Sequence, residues 1–417
     1  MDNTFYTENR KSLYARLEED ALAIVFSGWP PRRTNDEYYP FHASRNFVYL
    51  TGISQRDAVL LGFGTGNSGS DAEETLFVPP PDLMWERWNG VRIKADEASE
   101  ISGIKDIQFD ADFEKALDRA LGSHKYNAVY LPLFKHTAKE PDGPEYLLVR
   151  YIKDRYPHVA IKNLLPHIKA LRLIKKPCEV EAMRKAQEIA REGILAMMRI
   201  TKPGVAELAL RAEYLYTLMK NGAAGPSCSP IISVGKNNFC IHYDDHMGIA
   251  GDGDMILIDV GAPYNNLVTD VSRTWPANGR FNENQRLLYQ CAYETSKHMF
   301  SIIKPGMPMA DVDATIRRYN FELLRDIGLC KSWDDIGKYM WHGGAHHVGF
   351  DVHDVVGISP ETPIAPGMVF CVDIGIYVED WGIGFRLEDN CLITESGCEN
   401  LSKDIPRSIE DIEAFMK

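Results

Sequence analysis

The sequence has no long apolar run, no basic cluster and no closely paired cysteines. None of its apolar segments approaches the roughly 18 to 20 residues that cross a bilayer. Lys plus Arg number 46 against 59 Asp plus Glu, a formal net charge of −13, and no run of basic residues occurs. A binder of nucleic acid or of an anionic membrane surface carries the opposite balance. Among the eight cysteines there is no C-x-x-C pair, which argues against a thiolate zinc site. Several of them sit in apolar segments, where Cys acts as a small hydrophobe, and the set points to a reducing cytoplasm. The amino end, Met1 to Arg10, is polar and has no apolar h-region, so no secretory leader is expected.

What is present is an ordinary globular composition. Of 417 residues, 45% are hydrophobic and 10% aromatic, which excludes large-scale disorder. At roughly 150 residues per domain, two or three domains are expected. Residues 1–165 alternate strand-like and helix-like segments, an α/β pattern. Ala21 to Phe26 and Asp57 to Phe63 read as buried strands. A third strand from Glu74 ends at three consecutive prolines, which cannot continue a ladder. Ala111 to Leu121 reads as a helix and Asn127 to Leu131 as a short strand. No cluster of His or acids marks chemistry in this half.

A boundary is expected between Leu165 and Pro177. Pro177 suits the first turn of a helix, with Glu179 and Glu181 complementing its positive end. Val180, Met183, Ala186, Ile189, Ala190, Ile194 and Met197 then recur at helical spacing. From here the sequence echoes itself. Lys202-Pro203-Gly204 ends one helix, and the next stops at Asn221-Gly222. Lys304-Pro305-Gly306 ends another, whose successor stops at Gly328. Gly253-Asp-Met-Ile-Leu-Ile-Asp259-Val-Gly261 aligns without a gap on Gly367-Met-Val-Phe-Cys-Val-Asp373-Ile-Gly375. Matching helices, strand, acid and turn glycine imply an α+β domain with a pseudo-two-fold internal repeat.

The acids of the two copies carry the chemistry. Asp259 ends an apolar strand, and Asp270 follows on the next strand-like segment, so a hairpin brings both carboxylates together. Asp373 ends the equivalent strand and Glu388 lies on its return strand. Ionised carboxylates held side by side require a cation or a shared proton. Between the hairpins, His342, His346, His347 and His353 fall within a dozen glycine-containing positions. Oxygen donors with an imidazole suit Mn²⁺, Co²⁺, Fe²⁺ or Zn²⁺, and bridging carboxylates favour two ions. Histidines outside the ligand set are candidates for proton donors or substrate anchors.

With these motifs the sequence resembles the M24 "pita-bread" metallopeptidases, in particular the aminopeptidase P and prolidase branch. The resemblance spans essentially the whole chain. It rests on Arg45-Asn-Phe-Val-Tyr-Leu-Thr-Gly52, Leu171-Arg-Leu-Ile-Lys-Lys-Pro177, Asp259-x-Gly261 with Thr269-Asp270, His342-Gly-x-x-His346 with Asp351-Val-His353-Asp354, and Arg386-x-Glu388-Asp389. It implies an amino-terminal α/β domain at 1–165 and an α+β pita-bread (creatinase/aminopeptidase) catalytic domain at 166–417.

It further implies that Asp259, Asp270, His346, Asp373 and Glu388 are metal ligands, Asp270 and Glu388 bridging two divalent ions. Mn²⁺ stands first, before Co²⁺, Zn²⁺ or Fe²⁺. His242, His342 and His353 match substrate-pocket histidines, and Arg386 an arginine supporting the site. His347 occupies a position that is often aromatic and is not a ligand. The implied activity is release of the first residue from peptides with proline second, by water that the ions activate. Asp373 accepts the proton, while His353 and His242 stabilise the tetrahedral species and orient proline. A cytoplasmic homo-oligomer, dimer or tetramer, is the expected form, without nucleic-acid or membrane partners.

One position departs from the pattern. The family usually has Glu where Asp373 stands, commonly followed by Pro and Gly, and here Ile374 and Gly375 follow. Asp is shorter by one methylene, a loss of reach of roughly 1.3 Å. The backbone moves closer, a water bridges the gap, or that ion binds weakly. Two alternatives stay open: an Xaa-Pro dipeptidase (prolidase), which the sequence separates poorly from an aminopeptidase, and, because of Asp373, a non-catalytic pita-bread protein that binds peptide or a partner.

Overall fold

Ala21–Phe26 is apolar at every position, which suits a strand covered on both faces. It forms β1, inside a six-stranded sheet with β2 (Val59–Phe63), β3 (Glu74–Val78), β4 (Asp106–Phe109), β5 (Ala128–Leu131) and β6 (Ala160–Asn163). The order is β4-β3-β2-β1-β5-β6. β2 runs antiparallel to both β1 and β3, and the other pairs are parallel. β3 stops at Val78, before the prolines. The edge strands β4 and β6 are partly exposed and carry Asp106 and Lys162, charges that discourage further pairing. The Phe113–Gly122 helix follows a 3₁₀ turn at Asp110–Asp112, so it begins two residues later than the sequence suggested. Its Leu117 and Leu121 pack with Leu148 and Ile152 of the Pro144–Arg155 helix against Leu22, Ile24 and Val129.

The computed structural model describes residues 1–66 and 73–417, which divide into compact units Met1–Arg172 and Leu173–Lys417. The division lies seven residues beyond 165, because the Leu165–Arg172 helix packs on the Asn3–Tyr14 helix of the first unit.

In the second unit, two helix pairs precede two strand sets. Pro177–Ile200 and Glu207–Lys220 form the first pair, Glu283–Ile302 and Met309–Asp326 the second. The Lys-Pro-Gly turns after the first helix of each pair put Gly204 and Gly306 at φ of 90° and 92°, a conformation glycine adopts without steric cost. The first strand set is β7 (Ile231–Val234), β8 (Met255–Val260), a two-stranded ribbon β9 (Pro263–Tyr264) and β10 (Leu267–Val268), and β11 (Val271–Pro276). The second is β12 (Val369–Val378), β13 (Ile383–Ile393) and β14 (Cys398–Asn400). Two three-stranded antiparallel sheets result, ordered β11-β8-β7 and β12-β13-β14.

The core lies between the helices and one face of these strands. Ile194, Met197, Leu210, Leu288 and Ile316 meet Ile256 and Ile258 of β8, Phe370, Val372 and Ile374 of β12, and Phe385 and Leu387 of β13. Side chains alternate across a strand, so Asp259, Cys371, Asp373, Gly375, Arg386, Glu388 and Asn390 share the opposite face. Ladder register sets three of these pairs directly across from each other: Cys371 with Asn390, Asp373 with Glu388, and Gly375 with Arg386.

Candidate metal centre

The first hairpin is shaped by close approach. A Cβ at Gly261 would lie 1.7 Å from the Thr269 carbonyl oxygen, so only glycine fits where the chain re-crosses itself. Asn265 and Asn266, at φ of 46° and 69°, close the two-residue turn of the β9–β10 ribbon. Because the ribbon ends at Val268, Asp270 does not lie within a strand as the sequence suggested. It sits in the break before β11. Its backbone is instead held by Asn390, whose Nδ2 donates to the Asp270 carbonyl (2.6 Å) and whose Oδ1 accepts from the Asp270 amide (3.2 Å).

The histidine segment lies along the free edge of β12. Asp373 and Cys371 donate their backbone N–H groups to the carbonyls of Gly344 (2.9 Å) and His346 (2.8 Å). This places His346 Nε2 3.4 Å from Glu388 Oε1 and 3.6 Å from Asp270 Oδ2. His342 Nδ1 lies 3.2 Å from Asp373 Oδ2, and its Nε2 lies 3.2 Å from the Tyr377 hydroxyl. A Cβ at Gly375 would come within 2.2 Å of that Nε2, so the missing side chain makes room for His342. The His353 ring meets His346 edge to face, with centroids 4.4 Å apart.

Arg386 ties two further parts together. Its Nη2 is 3.1 Å from Asp259 Oδ2, and its Nη1 donates to the Ile241 carbonyl at 3.0 Å, next to exposed His242. Ser272 Oγ donates to Glu388 Oε2 at 2.8 Å. His347 stands apart, with its ring against core residue Phe370. Burial and then the nearby Lys175 charge push its pKa down to about 4.

The electrostatics call for a proton or a cation. Asp259 Oδ1, Asp270 Oδ1, Asp373 Oδ1 and Glu388 Oε1 are all buried without a hydrogen-bond partner. Burial, and then the charge of Glu388, raise both Asp270 and Asp373 well above the usual carboxylate range. Burial also opposes ionisation of Glu388, but the neighbouring His346, with Cys371 and Ser272, outweighs it and keeps that group below its ordinary value. Burial works against the His346 cation too, yet Glu388 raises it overall. Four inward-facing carboxylates with four unused oxygens suit divalent ions, which replace the protons that the crowded acids otherwise retain.

Among the described residues, donor atoms of Asp270, His346, Cys371 and Glu388 all lie within 4.8 Å of one another. Cys371 was not singled out as a site residue in the sequence. Its position two residues before Asp373, on the same strand face, was the available signal. Ser272 and Asn390 also escaped sequence reasoning, since nothing local distinguishes a supporting hydroxyl or amide.

Residues 181–395 match Metallopeptidase family M24, and residues 6–130 match the aminopeptidase P N-terminal domain. The chain belongs to metallopeptidase family M24. This M24 chain is 29% identical to the Xaa-Pro aminopeptidase of Haemophilus influenzae, over 99% of its own length and 96% of the relative's. Its fold superposes on a putative aminopeptidase P from Bacillus anthracis with a TM-score of 0.96 at 33% identity, covering 100% and 98% of the two chains. Against Escherichia coli aminopeptidase P with the inhibitor Pro-Leu the TM-score is 0.90 at 28% identity, with the same coverage. The M24 architecture is thus an aminopeptidase P amino-terminal domain followed by a pita-bread catalytic domain.

Proposed function

We propose that the chain is an Xaa-Pro aminopeptidase, a metal-dependent hydrolase that releases the amino-terminal residue from peptides with proline in second position. The observation that carries this reading is the set of four acids, Asp259, Asp270, Asp373 and Glu388, each with one buried oxygen lacking a hydrogen-bond partner, with His346 Nε2 3.6 Å from Asp270 and 3.4 Å from Glu388. The full-length relatives support the substrate class, and they favour it over a dipeptidase or a non-catalytic binder.

Asp259, Asp270, His346, Asp373 and Glu388 are the proposed ligands of two divalent ions. Mn²⁺ is the first candidate and Co²⁺, Zn²⁺ and Fe²⁺ are the others. When bound, such ions supply Lewis acidity that makes water a nucleophile near neutral pH and polarises the scissile carbonyl. Asp373 is the proposed acceptor of the water proton, with His342 Nδ1 3.2 Å from its Oδ2. His353 and His242 donate hydrogen bonds to the developing oxyanion and orient the proline. His342 completes the pocket wall. Arg386 fixes Asp259 and the loop that carries His242.

The proposal extends to a cytoplasmic homo-oligomer, a dimer or tetramer. Eight free cysteines support the compartment. Exposed Leu83, Met84, Trp88 and Val91, around the Leu83–Asn89 helix, support association.

Hydrolysis of an Xaa-Pro-Xaa tripeptide by Mn²⁺-loaded protein tests the activity. Release of the free first residue is expected. Cleavage restricted to Xaa-Pro dipeptides would turn the assignment to prolidase. No cleavage of either, with the ions bound, would leave a binding protein.

A further inference from the structure

The buried cysteines divide by the side of the sheet they occupy. Cys291, Cys330 and Cys391 belong to the apolar core. Cys371 does not. It is fully buried on the opposite face of β12, beside the acids. The small-hydrophobe explanation serves the first three and fails for Cys371.

Three observations give its sulfur another role. The Cys371 Sγ lies within 4.8 Å of donor atoms from Asp270, His346 and Glu388. Opposite donors around one ion, with bonds of roughly 2.0 to 2.3 Å, stand up to about 4.6 Å apart, so only a small contraction is needed. Asp270 Oδ1 and Glu388 Oε1 lack hydrogen-bond partners, and these residues are only 4% and 2% exposed. The third observation concerns Asn390. Its amide cannot flip, because Oδ1 accepts from the Asp270 N–H and Nδ2 donates to the Asp270 carbonyl. It therefore presents Nδ2 to Cys371 Sγ, at 3.2 Å. A fixed donor aimed at sulfur is the outer support that a metal-bound thiolate takes.

We infer that Cys371 is a metal donor of this centre, binding one ion together with Asp270, His346 and Glu388. The inference rests on the metallopeptidase reading above and adds a thiolate to its oxygen and nitrogen donors. As the sulfur–metal bond forms, the thiol proton passes to solvent and no electron is transferred. A thiolate donor favours Zn²⁺, Fe²⁺ or Co²⁺ over Mn²⁺.

X-ray absorption by the full chain loaded with Zn²⁺ tests this without any substitution. A sulfur shell at roughly 2.3 Å is expected, beside the nitrogen and oxygen shell. Cys371→Ser removes the sulfur shell while zinc remains bound. It also abolishes the near-ultraviolet sulfur-to-cobalt charge-transfer band of the Co²⁺-loaded chain. In competition, the variant's preference shifts from Zn²⁺ toward Mn²⁺ by about tenfold. A loaded wild-type chain with only nitrogen and oxygen neighbours overturns the inference but leaves the metallopeptidase reading intact. A sulfur shell that survives in Cys371→Ser overturns it by assigning the sulfur to another cysteine. Failure of the wild-type chain to load any divalent ion overturns both readings.

Discussion

Asp373 and Glu388 stand directly across from each other in the antiparallel ladder of β12 and β13. Like charges in that arrangement repel, and here they are buried, so the hairpin is tolerable only with a proton or a cation between them. His342 lies against Asp373 and His346 against Glu388, so each acid has its own imidazole.

Glu388→Gln keeps the side-chain shape and removes the charge that this pairing uses. Metal content per chain, measured by atomic emission after dialysis, should fall. Tripeptide cleavage should fall roughly a thousandfold, since the ions supply several kcal/mol of transition-state stabilisation. Full metal content in the variant would refute the assignment of Glu388 as a ligand.

Gly375→Ala places a methyl group where His342 Nε2 now sits. The imidazole must move, and Asp373 loses its neighbour. Cleavage should drop by about a hundredfold, the scale of an ångström-sized misplacement, while bound metal stays near the wild-type level. Unchanged kinetics would show that the position of His342 does not matter.

Arg273 and Asp389 form an ion pair at 2.7 Å with both side chains buried. Arg273 also donates to the Glu388 and Ser402 carbonyls, so it links β11 to β13 and to the segment beyond β14. Arg273→Leu strands a buried carboxylate and should destabilise the second unit by about 3 to 5 kcal/mol. Arg407, 3.0 Å from Asp389, partly compensates and places the effect at the lower end. Denaturant unfolding of the variant measures this.

Glu179 gives a pH signature remote from the metal centre. Burial raises its pKa to about 7, against the opposing pull of the Lys176 backbone N–H and of Lys175 and Lys176, with Asp354 adding to the rise. The native chain therefore binds more protons than the unfolded one between about pH 4.3 and 7, and stability falls as pH rises through that window. The contribution is about 3 kcal/mol. Glu179→Gln keeps an acceptor for the Lys176 N–H, so it should match wild type near pH 4 and melt higher near pH 8. Parallel melting curves at both pH values would contradict the raised pKa.

Strand positions were legible wherever an apolar run met a breaker, as at Ala21–Phe26 and at Val78 before the prolines. The repeat was legible because its turn glycines are fixed by backbone conformation, Gly253 and Gly367 adopting φ of 80° and 85°. The placement of Asp270 was less so, since the Asn265–Asn266 turn ends one ribbon two residues before the acid. Cys371 was hidden for a different reason. Both faces of β12 are buried, so its hydropathy does not alternate, and the face that carries the acids leaves little trace in composition. Asn390 acts across 120 residues, a relationship that no local pattern carries.

That same tether between Asn390 and Asp270 sets the order of events during synthesis. A ribosome-bound chain that ends before β13 already carries Asp259, Asp270, His346 and Asp373, but neither Glu388 nor the amide that holds Asp270 in place. Contacts so distant along the chain form late. On the proposed reading, divalent metal binds a nearly finished molecule, and by mass action it holds that molecule closed. Removal of metal should then speed opening first at the seam between the two half-repeats, where hydrogen exchange at the Asp270 amide reports it.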